Sequence, residues 1–251
     1  MSIANEIQRL QTAKANIKAA IESKGVTVPS ATTIDGYAQI IIDNLIIDPY
    51  AGHEYVEIGG LKWATMNVGA NSVTDYGLYF QWGDTQGYTA DQVGSGSGQK
   101  YFGWADYKYC NGTSSVMTKY NSTDGKTVLD ASDDAARANW GGSWRMSTSG
   151  EMQTLINSTT TAWTADYQGS GVAGMVFTDK TDSSKALFFP AAGYCLNGSV
   201  NYVGSRCFCW SSSLSSTNAQ YANFLFFNSN SNLVSNDVRC YGFSVRGVVG
   251  Q

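Results

Sequence analysis

Residues 186–246 constrain the fold more than any other part of the chain, because they combine two kinds of sequence. Short motifs, such as residues 210–213 and 241–246, are regular enough to be strands or strand ends. Between them, apolar, aromatic and charged residues follow no steady period and stand in Ser-, Asn- and Gly-rich sequence, where turns normally carry polar residues. An irregular apolar set on loops is more typical of a contact surface than of a core.

The rest of the main domain predicts short strands and turns. The 27 glycines, the 13% aromatic residues and the sparse 14% of charged residues favour a β-leaning or loop-rich domain over a helical bundle. Residues 54–68 alternate, turn at Gly59 and Gly60 and alternate again, which predicts a β-hairpin. Residues 174–179 and 185–189 predict a second hairpin.

Other segments complete this prediction. Thr148, followed three residues later by Glu151, predicts a capping box that opens a helix. Residues 222–227 and 242–248 predict two strands. The long segment 84–139 is irregular and dotted with aromatic residues, as in loops that are functional or held down by their own side chains.

A small helical module, residues 1–48, precedes the main domain, which we place at residues 49–251. Residues 2–24 predict a helix that ends at Gly25 and carries a narrow apolar seam, as in a short coiled coil. A second helix is expected near residues 34–45, with Thr32 or Thr33 as its cap. Its apolar face would contain Ile34, Tyr37, Ile41 and Leu45. The module would serve assembly or attachment; a lid folded onto the main domain is the alternative.

Charge and hydropathy narrow the choice of partners. The net charge of −4, without any Lys/Arg cluster, argues against nucleic acid as a partner. No apolar run approaches the ~20 residues that span a bilayer, so membrane insertion is not expected. The N-terminus has no basic region followed by an apolar one, which favours synthesis in a cytoplasm without a secretory signal.

The cysteines predict neither a disulfide framework nor a metal site. Their number, five, is odd, and Cys207 and Cys209 are too close in sequence for a zinc knuckle. The single histidine, His53, lies far away in sequence and is expected to be solvated. We therefore expect unpaired surface or half-buried thiols, no metal and no cofactor.

Several ordered motifs resemble a known family. Residues 141–148 with Glu151, and residues 189–194, 210–213 and 242–246, are similar to the Fibrobacter succinogenes major paralogous domain, a relative of the formylglycine-generating sulfatase-modifying fold. The resemblance covers about residues 53–249. It implies an α+β fold with a C-type-lectin-like domain of short antiparallel strands, one or two helices and long irregular loops. Ser147 stands where the family commonly has Pro, which should affect only the entry into the helix.

The C-terminal region, about residues 190–246, further resembles the variable region of proteins that diversity-generating retroelements mutate. That resemblance implies adenine-specific mutagenesis of Asn-type codons. Replacing only the adenines of AAC or AAT yields Phe, Leu, Val, Tyr, Cys, Ser, Arg and Asp, among others, but never Trp, Lys, Glu, Gln or Met. Trp210 and Gln220 therefore belong to the scaffold. The cysteines would be products of this mutagenesis rather than a functional pair.

The candidate ligand-binding residues are the scattered positions of this region that carry permitted residue types. They are Cys195, Leu196, Val200, Tyr202, Arg206, Cys207, Phe208, Cys209, Tyr221, Phe224, Phe226, Ser231, Leu233, Ser235, Asp237, Val238 and Cys240. Strand alternation places Leu225 and Phe227 opposite Phe224 and Phe226. If the first pair fills the core, the second pair is displayed; display is the expectation, and a core position for these aromatics is the alternative.

These resemblances imply a non-enzymatic protein that binds a ligand or receptor through a diversified patch. We expect a bacteriophage tail component in the virion, which contacts a host-cell surface protein or glycan and assembles as a homo-oligomer, such as a trimer, through residues 1–48. A bacterial cell-surface adhesin or structural paralog is the first alternative. A cofactor-dependent oxidase is the second, with Cys207 and Cys209 as its nearest cysteine pair, although the sequence around them offers little to activate a thiol.

Overall fold

The chain divides into two compact units, Met1–Ala51 and Gly52–Gln251. The computed structural model describes residues 3–37, 40 and 50–250. Within the second unit, the fold is α+β, with short antiparallel strands and few helices.

The first unit begins with helix α1, Ile3–Glu22, as the apolar seam predicts. Gly25 follows it in the left-handed conformation (φ 82°) that ends many helices. Ile21 packs with Val28 and Tyr37 in a small apolar cluster. Thr33 caps the next helical turn by accepting the backbone N–H of Gly36, but most of the predicted second helix, with Ile41 and Leu45, lies outside the described residues.

A four-stranded sheet joins the two ends of the second unit. Its order is β1 (Tyr55–Ile58), β2 (Leu61–Asn67), β12 (Arg246–Val249) and β3 (Arg145–Met146), and every neighbouring pair is antiparallel. The predicted β1–β2 hairpin is confirmed. Its turn residues, Gly59 and Gly60, both have positive φ, which the tight hairpin turn requires.

The helices of this unit are α2 (Ala135–Trp140) and α3 (Ser149–Ser158). The predicted capping box at the start of α3 is present: Thr148 and Glu151 cap each other's backbone N–H groups. Arg145 also pairs with the Glu151 carboxylate through two hydrogen bonds of 2.8 and 2.6 Å, which fix α3 to β3.

Two further sheets and a hairpin complete the unit. One sheet contains β4 (Thr159–Thr164), β5 (Gly174–Asp179) and β6 (Ala186–Pro190), and its β5–β6 hairpin confirms the prediction. Strands β7 (Tyr194–Leu196) and β8 (Ser199–Asn201) form the hairpin. The last sheet has the order β11 (Asn232–Val238), β10 (Tyr221–Asn228), β9 (Arg206–Leu214). The predicted strand at residues 242–248 is shorter, because only Arg246–Val249 pairs as β12.

The β9–β10–β11 sheet lies between two apolar cores. Leu225 and Phe227 belong to one core with Trp63, whereas Phe224 belongs to the other with Trp82. Two indole N–H groups tie the sheet to the irregular segment before β3: Trp82 donates to the Ser211 carbonyl at 2.8 Å, and Trp210 donates to the Phe80 carbonyl at 2.9 Å. The middle of the sheet is therefore covered on both faces.

Candidate ligand-binding face

One face of the β9–β10–β11 sheet brings together residues that look scattered in the sequence. The antiparallel register aligns Phe208 with Phe226 and Phe226 with Leu233 in one cross-strand row. Successive side chains of a strand point to opposite faces, so every second residue of each strand joins this row's face. We call this surface the display face; its members among the predicted residues are Arg206, Phe208, Phe224, Phe226, Leu233, Ser235 and Asp237.

Exposure on the display face increases from the middle of the sheet towards its edge. Phe208 and Phe224 are buried, Phe226 is half-buried, and Leu233 on the edge strand is 41% exposed. Phe224 is only 4% exposed because its ring packs on the rings of Phe208, Trp210 and Phe243, with centroids 5.0 to 5.9 Å away. The expectation that Phe224 is displayed is therefore wrong, and the core alternative holds for it.

The opposite face of the sheet carries Cys207 and Cys209, which pack in the core with Leu225 and Phe227. Burial raises the pKa of the Cys207 thiol well above its usual range and raises the pKa of Cys209 to about 11. Both thiols are thus kept protonated at neutral pH, which is typical of structural cysteines.

The remaining cysteines are also buried. Cys195 packs in a cluster with Phe102, and Cys240 in a cluster with Cys110. All five cysteines lie in the described part of the chain, where they are unpaired. The expectation of surface or half-buried thiols is wrong, because the strands and loops that carry them are covered on the side where the sulfur points. Six predicted residues are thus buried, although Phe208 keeps 9% of its surface: Cys195, Cys207, Phe208, Cys209, Phe224 and Cys240.

The other eleven predicted residues are half-buried or exposed, and six of these lie off the display face. Leu196 and Val200 are half-buried on the β7–β8 hairpin, and Ser231 lies in the turn between β10 and β11. Tyr221 and Val238 form a cross-strand pair on the other face, at the end of the sheet. Tyr202, at 48% exposed, follows β8 and reaches the display face.

A concave site of about 240 Å³ opens where Tyr202 meets the display face. Four of its wall residues are predicted candidates, and two, Tyr194 and Tyr241, were assigned to the scaffold. We call this site the tyrosine pocket; it is lined by Tyr194, Tyr202, Arg206, Phe208, Asp237 and Tyr241.

Tyr194 holds the aromatic wall of the tyrosine pocket together. Its ring is nearly parallel to that of Tyr241, with centroids 5.6 Å apart and an interplanar angle of 9°. The Tyr202 ring lies 5.9 Å away at 30°, and the Phe208 ring packs edge-on at 5.1 Å. Aromatic pairs at these separations stabilise one another by about 0.5–1.5 kcal/mol, so the wall is formed before any ligand arrives.

The two charges of the pocket are held in different ways. The Arg206 guanidinium lies over the Tyr202 ring, 4.0 Å from its centroid, as in a cation–π contact. The Asp237 carboxylate accepts a hydrogen bond from the Val238 backbone N–H at 2.8 Å. Burial raises the pKa of Asp237, and burial together with the Asp237 charge raises that of Tyr241 to about 12.

Two backbone features position the pocket. Gly193 has φ 66°, and a Cβ there would lie 2.0 Å from the Asn201 carbonyl oxygen, so only glycine permits this approach of two backbones. Tyr202 is itself left-handed, at φ 59°, and its carbonyl accepts the N–H groups of Ser205 and Arg206. A non-glycine residue there is strained, and such strain often occurs where a side chain must be aimed.

Tyr194 and Tyr241 are the pocket residues that sequence reasoning missed. Tyr194 ends the family motif 189–194, and Tyr241 begins the regular segment 241–246. Each directly precedes or follows a cysteine of the scattered set. A signal was present, because Tyr is one of the residue types that the codon rule permits. Their half-buried positions show that a scaffold motif can end on a pocket wall.

Among the described residues, no group of three or more His, Cys, Asp or Glu side chains is placed to hold a metal ion. In the same part of the chain, no helix has the length and apolarity to cross a membrane. No protein-family model matches the sequence, and neither a curated protein nor a solved structure matches it.

Proposed function

We propose that this chain is a non-enzymatic binding protein whose C-type-lectin-like domain displays a diversified patch, as a receptor-binding component of a bacteriophage tail. The observation that carries the proposal is the display face: aperiodic residues of codon-permitted types converge on one edge of one sheet and on the adjoining tyrosine pocket. The accessible patch contains Tyr194, Tyr202, Arg206, Phe226, Leu233, Ser235, Asp237 and Tyr241.

The composition of this patch suits recognition of another molecule. Tyr and Arg are enriched at binding hot spots. Tyr supplies a large contact area with few rotatable bonds, and Arg supplies several hydrogen-bond donors. The patch stands on a sheet whose other side is packed in the core around Leu225 and Phe227. Side chains at the edge can therefore be exchanged while the packed side keeps the fold.

The oxidase alternative receives no support from the chemistry of the cysteines. A catalytic cysteine must reach substrate as a thiolate, which needs exposure and a lowered pKa. Cys207 and Cys209 are each 1% exposed, and burial raises both pKa values. We therefore expect no loss of an oxidase activity when both cysteines are substituted by Ser. Loss of such an activity in that variant would overturn the proposal.

A pair of matched libraries tests the display role. In the first, Tyr202, Phe226, Leu233 and Asp237 are replaced by the residues that an Asn codon mutated at its adenines can encode. In the second, the buried Cys207, Cys209 and Phe224 are replaced in the same way. We expect the first library to yield folded binders to immobilised unrelated proteins, and the second to yield mostly unfolded chains. Equal tolerance in the two libraries, or no binders from the first, would refute the display role.

The genetic part of the proposal has its own test. A near-copy of the coding sequence for residues 190–246, beside a reverse transcriptase gene and differing only at template adenines, would establish diversification. Its absence from the source genome would remove the retroelement from the proposal. A binding role without that cassette would instead favour the alternative of a bacterial adhesin.

We further propose that α1 assembles the protein as a homotrimer. Its exposed apolar residues follow the a and d positions of a heptad, with Ile7 at a and Ile3 and Leu10 at d. Position d also carries Ile17, so isoleucine occupies a at Ile7 and two of these three d positions, a pattern that favours three or four strands over two. Ile3, Ile7 and Leu10 are 82%, 51% and 46% exposed, which is a large apolar surface for a single helix.

Two double variants of the full chain test this assembly. Ile7→Glu with Leu10→Glu places charges in the seam, whereas Gln8→Glu with Thr12→Glu places the same charges elsewhere on α1. By light scattering coupled to size exclusion, we expect the first to be monomeric and the second to keep the parent's trimeric mass. A monomeric parent, or a seam variant of unchanged mass, would contradict the proposal.

A further inference from the structure

We propose that the tyrosine pocket binds one neutral pyranose unit of a glycan. This inference rests on the proposed binding function and names the ligand class for one site within the patch. It follows from three properties of the pocket: its unused hydrogen-bonding groups, its charge balance and its size.

The hydrogen-bonding groups of the pocket are mostly unused by the protein. Within the described residues, no hydrogen bond is made by the Arg206 side chain or by the hydroxyls of Tyr194, Tyr202 and Tyr241. The Asp237 carboxylate accepts one hydrogen bond, from the backbone N–H of Val238. Arginine offers donors alone, an ionised carboxylate offers acceptors alone, and a phenol offers both. A ligand that fills this site must therefore present donors and acceptors close together, which adjacent hydroxyl groups on one ring do.

Charge balance argues against a charged ligand. The pocket contains one cation, Arg206, and one anion, Asp237, and no ion pair joins them in the described structure. A basic ligand group would satisfy Asp237 but would lie near the Arg206 guanidinium. An acidic ligand group would satisfy Arg206 but would be repelled by the Asp237 carboxylate. A sugar hydroxyl accepts from the guanidinium and donates to the carboxylate, so a neutral polyhydroxyl ring satisfies both charges.

Size and wall chemistry point to a single ring. The volume of about 240 Å³ is below the range of roughly 300–1,000 Å³ typical of sites for drug-sized ligands. The walls are four aromatic rings, and the C–H face of a pyranose provides the matching apolar surface. An apolar side chain of a protein would fit the rings but would leave Arg206 and Asp237 unsatisfied, at a cost for each charge.

Saturation-transfer NMR on the full-length protein tests the inference. The neutral probes are the methyl glycosides of glucose, galactose, mannose, fucose and N-acetylglucosamine. The charged probes are the N-acetyl amides of lysine and aspartate. We expect at least one neutral glycoside to bind with a dissociation constant of about 1 mM, as ligand-efficiency limits allow for so small a molecule. Both charged probes should bind more weakly.

Two substitutions in the pocket and two controls make the result specific. Asp237→Asn and Arg206→Gln each remove one charge with little change in shape, and each should weaken glycoside binding about tenfold, as the loss of a charge-assisted hydrogen bond predicts. Asp91→Asn and Arg137→Gln make the same chemical changes at exposed positions outside the pocket and should leave binding unchanged. Unaltered thermal midpoints would show that all four variants are folded.

Each outcome decides the inference. Tighter binding of the lysine amide than of any glycoside would identify the pocket as a site for a basic side chain of a protein partner, and would overturn the sugar. Absence of binding by every glycoside, at a concentration about ten times the expected dissociation constant, would also overturn the assignment of a sugar. If no glycoside binds but the display-face library still yields binders, the sugar is refuted and the proposed binding function stands. If that library yields no binders, the proposed function itself is refuted.

Discussion

Replacing Phe224 and Leu233 by Asn, one at a time, is the sharpest test of where the accessible patch ends. Both residues lie on the same face of the same sheet, and an Asn codon mutated at its adenines can encode either. Phe224 is 4% exposed and Leu233 is 41% exposed. If burial sets what a position tolerates, the two substitutions should differ greatly in free energy of unfolding, although they look alike in the sequence.

The magnitude follows from the surroundings of each side chain. Truncating a buried Phe to Ala costs about 3–5 kcal/mol, and a buried amide without partners costs about 1–3 kcal/mol more. Asn fills part of the cavity, so we expect Phe224→Asn to lose about 4–6 kcal/mol. Leu233→Asn removes only a cross-strand contact with Phe226 and should cost about 1 kcal/mol or less.

Thermal unfolding followed by circular dichroism measures both effects. In a domain of this size, 1 kcal/mol lowers the melting temperature by about 2–4 °C. Phe224→Asn should therefore melt about 10–20 °C below the parent, and Leu233→Asn no more than about 4 °C below it. A loss for Phe224→Asn as small as that for Leu233→Asn would refute the assignment of Phe224 to the core and would return it to the displayed set.

Three further predictions concern buried groups. The five cysteines should react with Ellman's reagent only after unfolding, because they are buried; rapid reaction of the native protein at neutral pH would contradict this. Burial raises the pKa of Asp133, but hydrogen bonds from Lys119, Tyr109 and Tyr120 outweigh it and lower that pKa to about 2. Because the folded value lies below the ordinary 3.8, Asp133 stabilises the fold fully above about pH 4, and that stability is lost as pH falls towards 2. Chemical denaturation at several pH values should show this loss, and Asp133→Asn should show a smaller one. Arg246→Met should lower the free energy of unfolding by about 3 kcal/mol or more in urea titrations, because it leaves three buried acceptors without their guanidinium donors; a loss below about 1 kcal/mol would contradict this role.

Local signals in the sequence predict the elements that local interactions stabilise. The Gly59–Gly60 turn, the Thr148–Glu151 capping box and the apolar repeat of α1 each lie within a few residues, and each is present in the structure. Strand β9 gave no such signal, because it is buried on both faces and its Cys, Trp and Ser residues do not alternate in polarity. A period of two appears only when one face meets water.

The limits of the candidate site could not be predicted for a related reason. Alternation correctly separates Leu225 from Phe224, but it cannot tell whether the second face is covered. Phe224 is covered by the side chains of Trp210 and Phe243. Both of these residues lie more than ten positions away from Phe224 in the sequence. The codon rule has the same limit, since it identifies residue types and says nothing about burial. Only the assembled sheet separates Cys207 and Cys209 from their neighbours on the display face.

The proposed assembly through α1 and the proposed sugar binding in the tyrosine pocket would reinforce each other energetically. A dissociation constant of about 1 mM corresponds to only about −4 kcal/mol, which is too weak for stable attachment by one pocket. In a trimer, the second and third contacts occur at effective concentrations of about millimolar or higher, so the total affinity can rise by about 10²–10⁴ without new contacts. The Ile7→Glu and Leu10→Glu variant should therefore keep its affinity for soluble glycoside but lose its binding to a surface densely coated with the same sugar. Equal loss in both assays would contradict multivalency as the source of the added affinity.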